Sequence, residues 1–94
     1  MRPSEALAKH RDEVLAIIAR YPVSNPRVFG SAARGDDREG SDLDLLVDRH
    51  GPMTFIDLFQ LEDEISAVLG CPVEIATGLK PHAMATAAAD LRAL

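Results

Sequence analysis

A chain of 94 residues, 47% of them hydrophobic, has room for one compact core, so we expect a single domain over residues 1–94. Its 15 acidic residues outnumber 10 lysines and arginines, and the net charge of -5 opposes direct binding to nucleic acid phosphates. The longest apolar run near the N-terminus is Val14–Ala19, which argues against a signal peptide or membrane span and predicts a cytoplasmic protein. The single cysteine, Cys71, excludes an internal disulfide.

The N-terminal segment predicts one helix over Pro3–Tyr21, which Pro22 prevents from continuing. Apolar residues recur at helical spacing, namely Leu7, Val14, Ile18 and Tyr21. The residues Val23–Pro26 have the composition of a turn. After them, Arg27–Phe29 is a short β-prone run that ends at Gly30, and it predicts the first strand.

The ten residues after Gly30 are small, polar or charged, which predicts one helical turn followed by a loop. The second strand runs from about Asp42 to Asp48. Because side chains alternate across a strand, one face carries Leu43, Leu45 and Val47. The opposite face carries Asp42, Asp44, Leu46 and Asp48. Two carboxylates, those of Asp42 and Asp44, are therefore expected side by side on one face of the sheet.

Thr54 and Asp57 have the spacing of a capping box at the start of a second long helix, which Gly70 is placed to end. Its apolar stripe consists of Phe55, Leu58, Leu61, Ile65 and Leu69. All three phenylalanines, Phe29, Phe55 and Phe59, are expected in the core. Pro72–Thr77 predicts a third strand and Pro81–Leu94 a last helix. The element order predicts an α/β (α+β) fold with a small mixed sheet of about three strands packed by helices.

The Asp pair is the most informative chemical feature of the chain. Residues two apart on a strand lie roughly 6.5 to 7 Å apart, and charges ~6 Å apart repel by about 3 kcal/mol at an effective dielectric of 20. A divalent cation between Asp42 and Asp44 would remove that repulsion. Oxygen donors without His or Cys select Mg²⁺ or Mn²⁺ over zinc. The alternative is that both aspartates line a solvated strand face.

Two further features would join this pair if the strands are neighbours in one sheet. Backbone N–H groups at the helix start after Gly30 and Ser31 favour a phosphate, although Gly-Ser alone is more often an ordinary tight turn. On the third strand, Glu74 faces away from its apolar neighbours and toward the same polar face.

These segments together resemble a known family. Gly30–Gly35 (GSAARG) and Ser41–Val47 (SDLDLLV) resemble the signature of the minimal nucleotidyltransferases, the MNT family of the polymerase-beta-like superfamily. The ten residues Ala32–Ser41 separate Gly-Ser from Asp-x-Asp, as in the family pattern. Val73–Thr77 is similar to the family's third carboxylate strand, and Gly78–Pro81 to its closing segment. The resemblance implies the polymerase-beta-like nucleotidyltransferase fold.

The resemblance also implies roles for individual residues. It implies a nucleotide-binding set of Gly30, Ser31, Arg34 and Ser41. Asp42 and Asp44 would be catalytic carboxylates that coordinate Mg²⁺ or Mn²⁺ bridging the phosphates of ATP. Glu74 would supply the third catalytic carboxylate, as general base and as a further metal ligand, although the family usually has Asp there. For Arg34, a solvent-facing structural role is an equal alternative.

The implied reaction is transfer of AMP from ATP to a hydroxyl group, with pyrophosphate leaving. Small members of this family act as antitoxins that adenylylate a tyrosine of a helical HEPN-type toxin, so the implied partner is such a toxin in a hetero-oligomer. The alternative is a non-catalytic antitoxin that neutralises its toxin by stoichiometric binding, because Glu74 departs from the family pattern. Transfer to a small molecule is a third hypothesis.

Overall fold

The computed structural model describes residues 1–78 and 91–94 of the chain. In chain order its elements are α1 (Pro3–Lys9), α2 (Arg11–Ile18), β1 (Val23–Phe29), α3 (Ser31–Arg34), β2 (Leu43–Arg49), α4 (Phe55–Leu69), β3 (Val73–Ala76) and β4 (Arg92–Ala93). The helix predicted over Pro81–Leu94 lies mostly outside the described residues. Within the described ranges, none of the helices has both the length and the apolar character that crossing a membrane requires.

The four strands form one mixed sheet in the order β3-β2-β1-β4. Strand β2 pairs antiparallel with β1 and parallel with β3, whereas β4 pairs antiparallel with the other edge of β1. The predicted fold class is therefore confirmed, with one strand more than the three expected. Because β2 lies between β1 and β3, its side chains are flanked on both sides, which is where the predicted aspartates occur.

The alternation predicted for β2 is confirmed by burial. Leu43, Leu45 and Val47 are fully buried and belong to the hydrophobic core, to which α1, α2 and α4 contribute Leu7, Val14, Ile18, Leu61, Ile65 and Leu69. On the opposite face, Asp44 is only partly buried and Asp42, just before Leu43, is exposed, whereas Leu46 is buried. The helices thus cover one face of the sheet and leave the aspartates on the other.

The single helix predicted over Pro3–Tyr21 is wrong, because the chain breaks at His10. That residue has φ -112° and ψ 23°, far from the helical ψ of about -42°. Hydrogen bonds nevertheless continue across the break, since the His10 N–H donates to Ala6 and the His10 carbonyl accepts from Val14. A break that keeps the helical hydrogen bonds leaves no mark on residue spacing, which explains why the pattern did not reveal it.

The turn predicted at Val23–Pro26 is also wrong, because β1 begins at Val23. The pairing with β2 shifts between Ser24 and Arg27, and Asn25 has φ +53°. Pro26 has no N–H for the ladder and Asn tolerates positive φ, so a β-bulge absorbs both residues inside a strand.

The end of the predicted last helix is wrong as well. Arg92–Ala93 is a strand, in which Ala93 lies opposite Arg27 and Arg92 opposite Val28. Strand β1 has an open edge there, and the Leu94 N–H donates to the Pro26 carbonyl at 3.0 Å. Pairing with that edge overrides the predicted helical conformation of Arg92 and Ala93.

The predicted bounds of α4 are confirmed. The Thr54 hydroxyl accepts from the Asp57 N–H at 3.1 Å, the Asp57 carboxylate accepts from the Thr54 N–H at 3.0 Å, and Gly70 ends the helix in the left-handed region. The prediction that Phe55 and Phe59 lie in the core is wrong, because their exposed fractions are 79% and 58%. They lie in the first two turns of α4.

A buried carboxylate fastens the loop between α3 and β2 to the N-terminus of α1. Asp37 is 3% exposed and accepts hydrogen bonds from the Ser4 N–H at 2.8 Å and the Ser4 hydroxyl at 2.9 Å, with the Arg2 guanidinium 3.9 Å away. Burial raises the pKa of Asp37, but the hydrogen bonds from Ser4 and the charge of Arg2 outweigh it, so the net pKa lies below its usual value. The ionised form therefore stabilises the fold.

Replacing Asp37 should destabilise the protein in a pH-dependent way. We expect Asp37→Asn to lower the free energy of unfolding by about 1–3 kcal/mol at pH 7, because the N–H of Ser4 loses its charged acceptor. A carboxyl with a lowered pKa contributes stability above its unfolded pKa and loses it as pH falls through the folded pKa. Urea denaturation should therefore show the difference from wild type shrinking below pH 4.

Asp36→Asn is the matched control, because Asp36 is the exposed neighbour in the same loop. It should change the free energy of unfolding by less than about 0.5 kcal/mol. Equal effects of the two substitutions, or a difference that grows as pH falls, would show that Asp37 does not anchor the loop.

Candidate functional site

The structure places Asp44 in the middle of the polar face of the sheet. In the strand register, Asp44 lies opposite Phe29 of β1 on one side and opposite Glu74 of β3 on the other. Asp42 lies just before the first residue of β2. The strands that carry Asp44 and Glu74 are thus neighbours in the sheet, as the predicted site requires.

The Gly30 turn touches Asp44 directly. Gly30 has φ +74° and ψ -153°, a region open essentially to glycine alone. A Cβ built on Gly30 would lie 2.6 Å from Asp44 Oδ2, closer than two such atoms can approach. The space that a side chain would fill is therefore occupied by the carboxylate. The Gly-Ser turn and the aspartate strand meet at this contact.

Helix α3 extends the turn by four residues. Ser31 is its first residue and is partly buried, and the Gly30 carbonyl accepts from the N–H groups of Ala33 and Arg34 at 3.1 and 3.2 Å. The helix ends at Gly35, which is left-handed with φ +80°. The predicted helical turn after the first strand is thereby confirmed.

The other two residues of the predicted nucleotide-binding set, Arg34 and Ser41, lie at the two ends of the segment that joins α3 to β2. Arg34 Nε is 3.3 Å from Asp36 Oδ2, and the Arg34 side chain is 46% exposed. The hydroxyl of Ser41 accepts from the Arg38 N–H at 2.9 Å, which closes the loop before Asp42. Roles for Arg34 and Ser41 toward a nucleotide stay predictions.

Asp44 lies in the electrostatic field of the other two carboxylates. Burial raises the pKa of Asp44, and the negative charges of Glu74 and Asp42 raise it further. Ionised Asp44 is therefore held against an unfavourable local potential. A bound cation would reverse the sign of that potential.

The donor set fits Mg²⁺ or Mn²⁺ held by two carboxylates. Across residues 1–78 and 91–94, no three His, Cys, Asp or Glu side chains are grouped as a ready-made metal site. Magnesium commonly uses only one or two carboxylates, with substrate phosphates and water as its other ligands. Asp42 and Asp44 match that pattern, and Asp44 lies beside a turn of the kind that suits a phosphate. A ligand role for Glu74 stays a prediction.

Phe29 is a neighbour of the site that the sequence did not predict. It had been expected in the core, but it is only partly buried and lies opposite Asp44. The preceding residue, Val28, is the one that packs into the core. Because side chains alternate between the two faces of a strand, a core position for Val28 would have predicted Phe29 on the polar face.

The chain matches, over residues 8–90, a family described as polymerase beta nucleotidyltransferase. It is 36% identical over 78 residues to a protein of Methanocaldococcus jannaschii to which protein adenylyltransferase activity is ascribed, covering 83% of this chain and 76% of that one. It is 35% identical over 69 residues to the protein adenylyltransferase MntA of Thermococcus cleftensis, covering 73% of this chain and 67% of that one.

Two solved structures share the fold. One, described as a minimal nucleotidyltransferase, superposes with a TM-score of 0.83 and 38% identity, covering 97% of this chain and 95% of that one. The other is a toxin-antitoxin crystal structure with AMP-PNP, with a TM-score of 0.76 and 14% identity, covering 87% of this chain and 69% of that one. The second likeness is one of fold.

Gly30→Ala should damage the site because of the contact with Asp44. We expect at least a tenfold loss of Mg·ATP affinity in calorimetry, since the added methyl must displace the carboxylate. Gly35→Ala is the matched control, because Gly35 also has positive φ but a Cβ there meets no atom within 4 Å. The control should lose about 1–2 kcal/mol of stability and keep its affinity. Similar affinities of the two variants would contradict the proposed contact.

Asp44→Asn should stabilise the protein when no divalent cation is present. An acid with a raised folded pKa destabilises the fold while it is ionised, so the neutral amide relieves that effect above the pKa. Asp48→Asn is the contrasting variant on the same strand face, because hydrogen bonds from Asn25 and Arg27 lower the pKa of Asp48. At pH 7 in EDTA, thermal unfolding should give a higher Tm for Asp44→Asn and a lower Tm for Asp48→Asn. A lowered Tm for Asp44→Asn would refute the electrostatic account.

Proposed function

The chain belongs to the polymerase beta nucleotidyltransferase family, and from this premise we propose that it transfers AMP from ATP to a hydroxyl group of a partner toxin. It is a nucleotidyltransferase of the kind whose relatives are named protein adenylyltransferases. The toxin would be of the HEPN type and the acceptor a tyrosine, so the chain would act as an antitoxin in a hetero-oligomer. The likeness in fold to a toxin-antitoxin structure that holds AMP-PNP supports this assignment.

The observation that carries the proposal is the position of Asp44. Its carboxylate touches Gly30, the first residue of the turn proposed to bind phosphate, and its strand neighbour is Glu74. A triphosphate on the turn would therefore lie beside a carboxylate that needs a cation. On the other side of Asp44, an acceptor hydroxyl would meet the carboxylate of Glu74.

Each group has a defined part in the reaction. Amides of Gly30 and Ser31 would hold the β- and γ-phosphates, and Asp42 and Asp44 would hold Mg²⁺. When bound, the ion neutralises the phosphates and assists departure of pyrophosphate. The acceptor oxygen forms a bond to the α-phosphorus as the bond from that phosphorus to the bridging oxygen breaks. The acceptor proton passes to the carboxylate of Glu74.

A stoichiometric binder remains the second candidate because of Glu74. The family usually has Asp there, and the longer side chain moves the carboxylate by roughly one bond, on a scale where ~1 Å can cost a factor of about 10² in rate. Glu74 is also exposed. In this alternative, the toxin would be neutralised by contact alone.

Mass spectrometry distinguishes the two candidates. Purified protein, ATP and Mg²⁺ are incubated with the product of the adjacent gene, and an added AMP is sought on that product. We expect an adduct on a tyrosine that disappears in the Asp42→Ala/Asp44→Ala double variant. A stable complex without an adduct would favour the stoichiometric binder. Nucleotide turnover without any protein partner would indicate a small-molecule acceptor.

Variants of Glu74 extend that experiment to the proton transfer. If its carboxylate is the base, Glu74→Gln should lower the transfer rate by about 10²–10⁴ and leave Mg·ATP affinity nearly unchanged. Glu74→Asp restores the residue usual in the family and should retain or increase the rate. Unchanged transfer by Glu74→Gln would exclude this residue as the base.

A further inference from the structure

The first two turns of α4 expose an unusual amount of apolar surface. Phe55, Ile56 and Phe59 have exposed fractions of 79%, 75% and 58%. Residues three and four apart on a helix are neighbours, so Phe59 adjoins both of the others and the three form one patch, here named the α4 patch. Single exposed apolar residues are ordinary, but a contiguous patch on a small soluble domain marks a binding surface.

The α4 patch continues into a cavity of about 310 Å³. Phe55 belongs to both, and the cavity is further lined by Arg49, Met53, Thr54, Leu58 and Thr77. The cavity lies where β2 ends, five residues and roughly 16 Å along the strand from Asp44. Helix α4 packs on the core face of the sheet, whereas Asp44 is on the other face. The α4 patch is therefore separate from the nucleotide site.

The charged residues of α4 indicate which kind of partner surface would complement the α4 patch. The helix carries four acidic residues and no lysine or arginine. Three of the acids are engaged within the chain, because Asp57 caps Thr54, Glu62 accepts from the Ile75 N–H, and Glu64 pairs with Arg20 and Tyr21. The fourth, Asp63, is exposed and has no hydrogen bond or ion pair with any described residue.

A lone cation lies at the opposite end of the α4 patch. Arg49 is exposed at the mouth of the cavity and, within residues 1–78 and 91–94, has no ion-pair partner. Asp63 is four residues beyond Phe59 and seven beyond Ile56, about 10 Å along the same side of the helix. The patch is thus flanked by one positive and one negative group, at opposite ends.

We propose that the α4 patch is the interface of a symmetric dimer, in which α4 packs antiparallel against α4 of a second copy. A two-fold axis places apolar patch on apolar patch and brings Arg49 of each copy toward Asp63 of the other. A parallel arrangement would oppose the two Asp63 carboxylates. Charge complementarity therefore selects the antiparallel pair. The dimer leaves both nucleotide sites on outward faces, open to an acceptor protein.

The interface is of modest size. Three side chains and a charged rim cover less than the ~800 Å² per partner of a standard stable interface. The dimer should accordingly be reversible, with a dissociation constant of order micromolar. Its detection requires measurements over a range of protein concentration.

Sedimentation velocity of the purified chain, from about 1 to several hundred micromolar, tests the proposal. The wild type should show reversible monomer–dimer exchange, and Phe59→Asp should raise the dissociation constant at least tenfold, as removal of a central aromatic anchor does. Ala16→Asp is the matched control, because Ala16 is an exposed helical residue of α2 and does not belong to the α4 patch or its charged rim, and it should dimerise like wild type. Circular dichroism verifies that each variant is folded.

A charge exchange tests the antiparallel register. Arg49→Asp and Asp63→Arg should each weaken the dimer several-fold, because each places two like charges together across the interface. The double variant Arg49→Asp/Asp63→Arg should restore the dissociation constant to within about twofold of wild type. A double variant as weak as the single ones would overturn the antiparallel arrangement.

Other outcomes are equally decisive. A wild type that stays monomeric at all concentrations, or dimerises regardless of Phe59→Asp, would overturn the proposal. A monomer whose complex with the adjacent gene product is lost in Phe59→Asp would assign the patch to that protein. Mg·ATP affinity of the monomeric variants should equal that of wild type, so failure of the dimer is separable from failure of the proposed reaction.

Discussion

The contact between the carboxylate of Asp44 and the backbone of Gly30 is the constraint on which the site depends. It joins the end of β1 to the beginning of β2, and it places a negative charge where a side chain would otherwise lie. Only glycine permits the backbone conformation found there. The Gly30 turn and the strand that carries Asp44 thereby meet at one point, where the proposed function requires both a phosphate and a cation.

A protein that collects carboxylates at one point needs other interactions to hold them there. On β2 the acids alternate with Leu43, Leu45 and Val47, which are fully buried in the core. Burial of such a side chain stabilises the fold by about 1.5–3 kcal/mol. Together the three exceed the roughly 3 kcal/mol of repulsion expected between two nearby carboxylates in a partly solvated site. Core packing on one face therefore dictates the direction of the acids on the other.

Much of the site was predictable from the sequence. The apolar residues of β2 mark its buried face, and because side chains alternate along a strand, the aspartates must lie on the other face. The meeting of Asp44 with Glu74 needed only the further condition that their strands be adjacent. Other features depend on tertiary context that spacing does not encode. Arg92–Ala93 is extended because β1 offers an open edge, whatever the helical preference of its own segment. Residue type predicted core positions for Phe55 and Phe59, and the helical stripe included Phe55, but both side chains are exposed in the first two turns of α4.

A crystal structure of the protein with Mn²⁺ and a non-hydrolysable ATP analogue tests the central claim most directly. Anomalous scattering locates the metal independently of the surrounding density. We expect one manganese in contact with Asp42 and Asp44, and triphosphate oxygens over the amides of Gly30 and Ser31. A triphosphate bound elsewhere, or a metal that contacts neither aspartate, would contradict the account.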